Sequence, residues 1–131
     1  MRLFLLPALA GISSLVLAMP GAGPANANGT GGAPPGAAQF ARHCAACHSL
    51  TPGKATAAGP SLAGVFGQAA ASGEFRYSPA LKASGITWSR DTLDAYLAAP
   101  MTAVPGTRMA TGVRDAEARA AIIAYLAKAA K

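Results

Sequence analysis

The stretch Arg42-His43-Cys44-Ala45-Ala46-Cys47-His48 decides how the rest of the chain is read, because Cys44, Cys47 and His48 together spell C-x-x-C-H. This is the attachment pattern of c-type haem. Two thiols three residues apart on one helical turn can each form a thioether to one haem vinyl group, while the adjacent imidazole reaches the iron. One pentapeptide then fixes a cofactor and supplies its proximal ligand. Competing explanations account for less. A Cys44–Cys47 disulfide leaves His48 without a task, and a zinc site needs four ligands from a chain holding 2 Cys and 2 His. A thioredoxin-like redox pair needs a βαβ context that the sequence does not display. With a single C-x-x-C-H and no internal repeat, one haem is expected.

Working outward, the chain of 131 residues is long enough for one domain behind a leader. Arg2 precedes an apolar run from Leu3 to Met19, small residues follow, and Ala25-Asn26-Ala27 offers an A-x-A cleavage site. Residues 1–27 therefore read as a secretory signal peptide, with an uncleaved anchor helix as the alternative, since the run approaches the ~17 residues that just span a bilayer. Export would place both cysteines where disulfides are permitted, but haem attachment would consume the two thiols. The net charge of +6 falls to +5 once Arg2 leaves with the leader. That mildly basic balance is compatible with an acidic partner or a membrane surface, but the charges are scattered singly, an ordinary solvated surface explains most of them, and no arginine-rich run points to nucleic acid.

Residues 28–36 hold too much Gly and Pro for regular structure and read as a flexible segment leading into a domain over 37–131. Ala37 to Cys47 has few breakers and sets Phe40 one turn before Cys44, which predicts a short helix running into the motif. Ser49 to Gly59 reads as loop. In Gly59-Pro60-Ser61-Leu62-Ala63-Gly64-Val65-Phe66-Gly67 the lack of side chains suits either a close backbone approach to something flat or an irregular turn. Ser78-Pro79 opens a short helix to about Ala83, closed by Gly85. Ser89 or Asp91 caps a helix carrying Leu93, Tyr96 and Leu97 and stopped by Pro100. Met101 to Gly112 reads as loop. From Asp115 a long helix follows, with Glu117 in its first turn, Ile122, Ile123, Tyr125 and Leu126 on its apolar face, and Lys128 near its negative end. No strand alternation is present, so the fold class is all-α.

An iron held by His48 has one open face, and Met101, Met109 and His43 are the candidates beyond the leader. His43 is a poor choice because it immediately precedes Cys44 on the attachment side. Met109 lies in a loop whose Pro105 and Gly106 can lay backbone across a ring, and Met101 directly follows the helix stop. Either methionine could instead be packing.

From Gly36 to Lys131 the chain resembles class I c-type cytochromes of the mitochondrial cytochrome c and bacterial cytochrome c2 type. The likeness rests on Gly36, Phe40, Cys44 to His48, Gly59 to Gly67, Phe75-Arg76-Tyr77-Ser78, Gly85-Ile86-Thr87-Trp88, Tyr96-Leu97, Pro100, Pro105-Gly106-Thr107-Arg108-Met109 and Ile122 to Leu126. It implies a cytochrome c fold, with three to five helices wrapped around one covalently bound haem c and the first and last helices crossing. It further implies that Met109 gives the distal sulfur and that the Pro60 carbonyl accepts the other imidazole proton of His48. Tyr77, Trp88 and Thr107 match positions that hydrogen-bond the propionates, and Tyr96 matches the tyrosine beside the methionine sulfur. Gly36, Phe40, Ile122 and Tyr125 fall where the family's terminal helices cross.

The chain departs from that pattern in places. Gln68 stands where an arginine commonly follows the Phe-Gly pair, with Arg76 as the candidate substitute near a propionate. Leu81 replaces a polar residue, and one residue is missing between Met109 and Gly112, which removes an aromatic. His43, Met101 and Thr102 occupy places that are often lysine, leaving Arg108, Arg114 and Lys54 as basic candidates, so docking is expected to be less electrostatic or differently centred.

The resemblance implies a soluble, monomeric, periplasmic electron carrier rather than an enzyme. Its donor would be a quinol-oxidising complex or a dehydrogenase, and its acceptor an oxidase, peroxidase or reductase. Contact with the membrane would come only through those partners. The alternative is a haem enzyme or a gas- or peroxide-binding module with a labile sixth ligand. The shortened loop favours that alternative, but a distal catalyst calls for a His, Arg or acid over the open face, and this loop offers only Arg108.

Overall fold

The computed structural model describes residues 35–129. The leader, its cleavage site and most of the segment over 28–36 lie outside the described residues. Five helices follow one another: α1 (Pro35–His43), α2 (Pro79–Ala83), α3 (Arg90–Ala98), α4 (Pro100–Ala103) and α5 (Ala116–Lys128). Among the described residues there is no strand, only one isolated bridge between Ala69 and Thr87.

Helix α1 starts two residues before the expected Ala37, because Pro35 sits at the first helical position, where its missing N–H costs nothing. It also ends sooner than expected, at His43. The Ala45 N–H reaches back to the Phe40 carbonyl and Cys47 and His48 both donate to the Cys44 carbonyl, so the motif occupies a tight turn after the helix rather than its last turn. Gly36 and Phe40 form the buried stripe of α1. A Cβ on Gly36 would lie 2.5 Å from the Ala121 carbonyl oxygen and 2.6 Å from the Tyr125 Cβ, so only glycine lets α1 and α5 approach this closely. The Phe40 and Tyr125 rings meet beside it with centroids 5.9 Å apart. The residue that composition alone marks as a breaker is the one the helix crossing requires.

The caps fall where local chemistry puts them. Ser78 accepts from the Leu81 N–H to start α2. Ser89, rather than Asp91, caps α3, and Thr92 completes a capping box by accepting from the Ser89 N–H. Asp115 accepts from the Ala118 N–H at the start of α5. Pro100 ends α3 as expected, but it also opens α4, so Pro100–Ala103 is helical where loop was expected over Met101–Gly112. A proline that cannot continue one helix is well suited to begin another.

Helix α5 packs on both α1 and α3, and α4 packs on α3. Ile122 and Ile123 are fully buried, with Leu126, Leu93, Leu97, Val104 and Val113 around them. Arg119 ties this region together: its guanidinium donates to Asp94 on α3 and to the carbonyls of Val113 and Arg114 just before α5. No helix among the described residues is long and apolar enough to cross a membrane.

Candidate haem-binding site

The histidine side is built from one continuous piece of chain. His48 Nδ1–H donates to the Pro60 carbonyl oxygen at 2.9 Å. Between them the chain folds back on itself: Thr56 Oγ1 donates to the Cys47 carbonyl, the Leu62 N–H to the Ser49 carbonyl and Ser61 Oγ to the Thr51 carbonyl. Gly59 closes the fold. A Cβ there would meet His48 Cε1 at 2.6 Å, the Cys47 oxygen at 2.7 Å and His48 Nδ1 at 2.8 Å. At this glycine the flat partner of the backbone is the imidazole of His48.

The two cysteines are free of each other and differ in setting, Cys44 being buried and Cys47 exposed. Burial pushes the Cys44 thiol up to about 11, so it is fully protonated at neutral pH. A donor set of two unpaired thiols on one turn, with an imidazole whose ring is oriented by a backbone carbonyl, fits a covalently attached haem and fits no zinc site.

A second group of polar and aromatic residues gathers around α3 and the loop after α4. Tyr96 and Thr107 share a buried hydrogen bond of 2.6 Å between their hydroxyls. Burial raises the Tyr96 phenol above its ordinary value, partly opposed by that bond to Thr107. Trp88 packs against Tyr96 with centroids 5.1 Å apart and the rings tilted by 57°, and Thr107 Oγ1 accepts from the Met109 N–H at 3.4 Å. Trp88 itself is fixed from outside, since its backbone pairs with Gly67 and Gln68 at the end of the glycine-rich segment. Met109 is half-buried against the core, whereas Met101 is 51 % exposed, the one large apolar side chain given to water among the described residues.

Tyr77 belongs to neither group. Its ring packs edge-on against Phe75 at 5.4 Å, its hydroxyl lies against Gly73, and no hydrogen bond joins it to Trp88, Tyr96 or Thr107. Burial raises its phenol as well, offset in part by a hydrogen bond with the Gly73 backbone. Gln68 is exposed and Leu81 is half-buried against the core. Sequence reasoning missed Thr56, which braces the motif, and Arg119, which braces the return from the Met109 loop. A threonine in a polar loop carries no signal of its own, and the carboxylate partner of Arg119 lies 25 residues away.

The cytochrome c family model matches residues 33–130. The chain is 41 % identical over 95 residues to the cytochrome c of Theileria annulata, covering 72 % of this chain and 83 % of that protein. It is 45 % identical over 87 residues to the cytochrome c2 of Rhodoblastus acidophilus, covering 65 % and 81 %. Among solved structures, cytochrome cH from Methylobacterium extorquens is similar with a TM-score of 0.66 and 42 % identity, over 71 % of this chain and 94 % of that one.

Proposed function

This chain belongs to the cytochrome c family and carries one haem c bound covalently through Cys44 and Cys47, and from that premise we propose that it is a periplasmic electron carrier whose iron is ligated by His48 and Met109. When bound, the haem supplies an iron that alternates between Fe(II) and Fe(III), accepting or giving one electron.

The observation that carries the reading is the bond from His48 Nδ1–H to the Pro60 carbonyl. It commits the proton to Nδ1, so Nε2 keeps its lone pair for a metal, and it raises the basicity of the ring. The half-buried setting of Met109, against the exposed setting of Met101, supports Met109 as the second ligand. Thr107 and Tyr96 hold that loop with a buried bond, and Trp88 and Tyr77 serve as propionate partners together with Thr107. With His48 and Met109 both holding the iron, no site would be left for an exchangeable substrate, and the thioether would raise the potential relative to other ligand sets.

Residues 1–27 direct export and are removed after Ala27. Partners are redox proteins met through small, short-lived interfaces: a quinol-oxidising complex or dehydrogenase as donor, and an oxidase, peroxidase or reductase as acceptor. The test is spectroscopic. Ferric wild-type protein should show a thioether-to-iron charge-transfer band in the near red. Met109→Ala should abolish it, lower the potential and let the ferrous form bind CO, while Met101→Ala should do none of these. The reverse pattern would reassign the ligand, and a wild-type protein without the band that binds CO rapidly would favour a gas- or peroxide-binding module.

A further inference from the structure

We propose that the surface around Met101 is where this carrier meets a redox partner protein, and that the partner face it fits is apolar and uncharged rather than acidic; this deepens the electron-carrier reading above and rests on it. Met101 is 51 % exposed on α4, and no other large apolar side chain among the described residues is given to water. Burying a thioether breaks no strong hydrogen bond, and its flexible chain adapts to surfaces of different shape. The chain around it is free of charge for an unusual length. Between Asp94 and Arg114 the only charged side chain is Arg108, and its guanidinium is already bound to the Arg76 carbonyl oxygen just before α2.

Both limbs of the Met109 loop contribute to this surface. Met101, Thr102 and Ala103 are exposed where the chain enters the loop, and Ala110 and Thr111 where it leaves. The limbs are held together at their base. A Cβ on Gly112 would stand 3.1 Å from Pro100 Cδ and 2.9 Å from the Ala98 carbonyl oxygen, and the Val113 N–H donates to the Leu97 carbonyl. A partner seated on Met101 therefore adjoins the loop that carries the proposed sulfur ligand. The neighbouring surfaces are mixed in sign, with Arg90, Asp91 and Asp94 on α3 and Arg114, Asp115 and Glu117 around the start of α5. An acidic partner would meet a single cation already engaged with backbone, and its carboxylates would shed water without a counter-charge. An apolar face sheds nothing of value, and a charge-poor centre holding methionine is the composition of interface cores. Binding of this kind responds little to salt, because no charge pairs steer it.

The experiment presents the holoprotein with faces of known chemistry: gold electrodes coated with mixed methyl- and hydroxyl-terminated alkanethiols, or with carboxylate-terminated ones. Voltammetry reads the amount bound and its one-electron wave. Wild type should prefer the uncharged coating, with coverage changing less than about twofold between low and physiological salt. Met101→Gln, which keeps the length and adds no charge, should weaken that binding about fivefold, the size expected when half a methionine side chain goes unburied. Met101→Lys should shift preference to the carboxylate coating and make binding salt-sensitive. Both variants should keep the near-red band and potential of wild type, and Lys128→Gln, at the end of α5, should bind as wild type does. A wild-type preference for carboxylate, or unchanged binding in Met101→Gln, would overturn the proposal. So would a dimer in sedimentation velocity or binding to phosphatidylcholine vesicles, since a second copy or a bare lipid surface would then be the occupant. A reversible wave with the wrong preference defeats the surface assignment alone. A protein with no reversible one-electron wave on either coating would defeat the carrier reading, and the proposal with it.

Discussion

The two sides of the site are held by different kinds of contact. On the histidine side, residues 44–62 fold on themselves, and His48, Pro60, Thr56 and Gly59 bind partners at most 12 residues apart. The methionine side is assembled from separate segments: Trp88 and Tyr96 from the start and middle of the α3 region, Thr107 to Met109 from the loop after α4, and Arg76 and Ala80 from around α2. A self-contained loop keeps its geometry whenever it is folded at all. A side stitched from several segments can open while each of them stays intact. Under the proposed ligation by His48 and Met109, the histidine end is fixed by the fold of its own loop and the sulfur end by a balance of contacts between segments.

The comparison can be broken most severely at Gly59. Gly59→Ala drives a methyl group into the His48 ring and the Cys47 carbonyl, and the overpacking should cost about 3 kcal/mol in denaturant unfolding of the holoprotein. Wild-type stability in that variant would mean that the histidine side has slack which its hydrogen bonds do not suggest. The next effect belongs to the other side. Thr107→Val strands the buried Tyr96 hydroxyl and should cost about 1–3 kcal/mol while weakening the near-red band. Adding Tyr96→Phe should recover part of the stability, since no Tyr96 hydroxyl is then stranded and only the part-buried Met109 N–H lacks its Thr107 acceptor.

The smallest effect lies outside both sides. Hydrogen bonds from the Ala118 and Glu117 N–H groups hold the Asp115 carboxylate below its ordinary value. Its contribution is therefore complete above the unfolded-state value and is lost as pH falls through the lowered folded one. Asp115→Asn keeps a cap that does not titrate, so the difference in unfolding midpoint between variant and wild type should change with pH only on the acid limb, as pH falls from the ordinary aspartate value through the lowered folded one. The near-red band should be unaffected throughout. A spectral change would show that α5 reaches the iron by a route the contacts do not reveal.

What could be read from the sequence follows the same division. The Ser78 cap, the start of the last helix at Asp115 and the apolar face of α5 are local patterns, and each stands where expected, as does one of the two caps offered for α3, Ser89. The errors came where a residue serves a distant partner. Gly36 reads as a breaker in composition, and only the resemblance sets it at the crossing of the first and last helices, because its reason for being small is the Ala121 carbonyl, far along the chain. Pro100 reads as a stop because its second use, starting α4, depends on how the chain turns after α3. Arg108 reads as a basic docking candidate and Arg76 as a propionate neighbour, but the bond between them ends on a carbonyl that every residue owns, so nothing in the letters pairs the two positions.

The crossing of α1 and α5 bears on how the protein is made. Helix α1 runs directly into Cys44, and the one helix packed on it among the described residues, α5, begins about seventy residues later. Contacts between segments so far apart in sequence are slow to close, so thioether formation at Cys44 and Cys47 should precede the docking of α5 on α1.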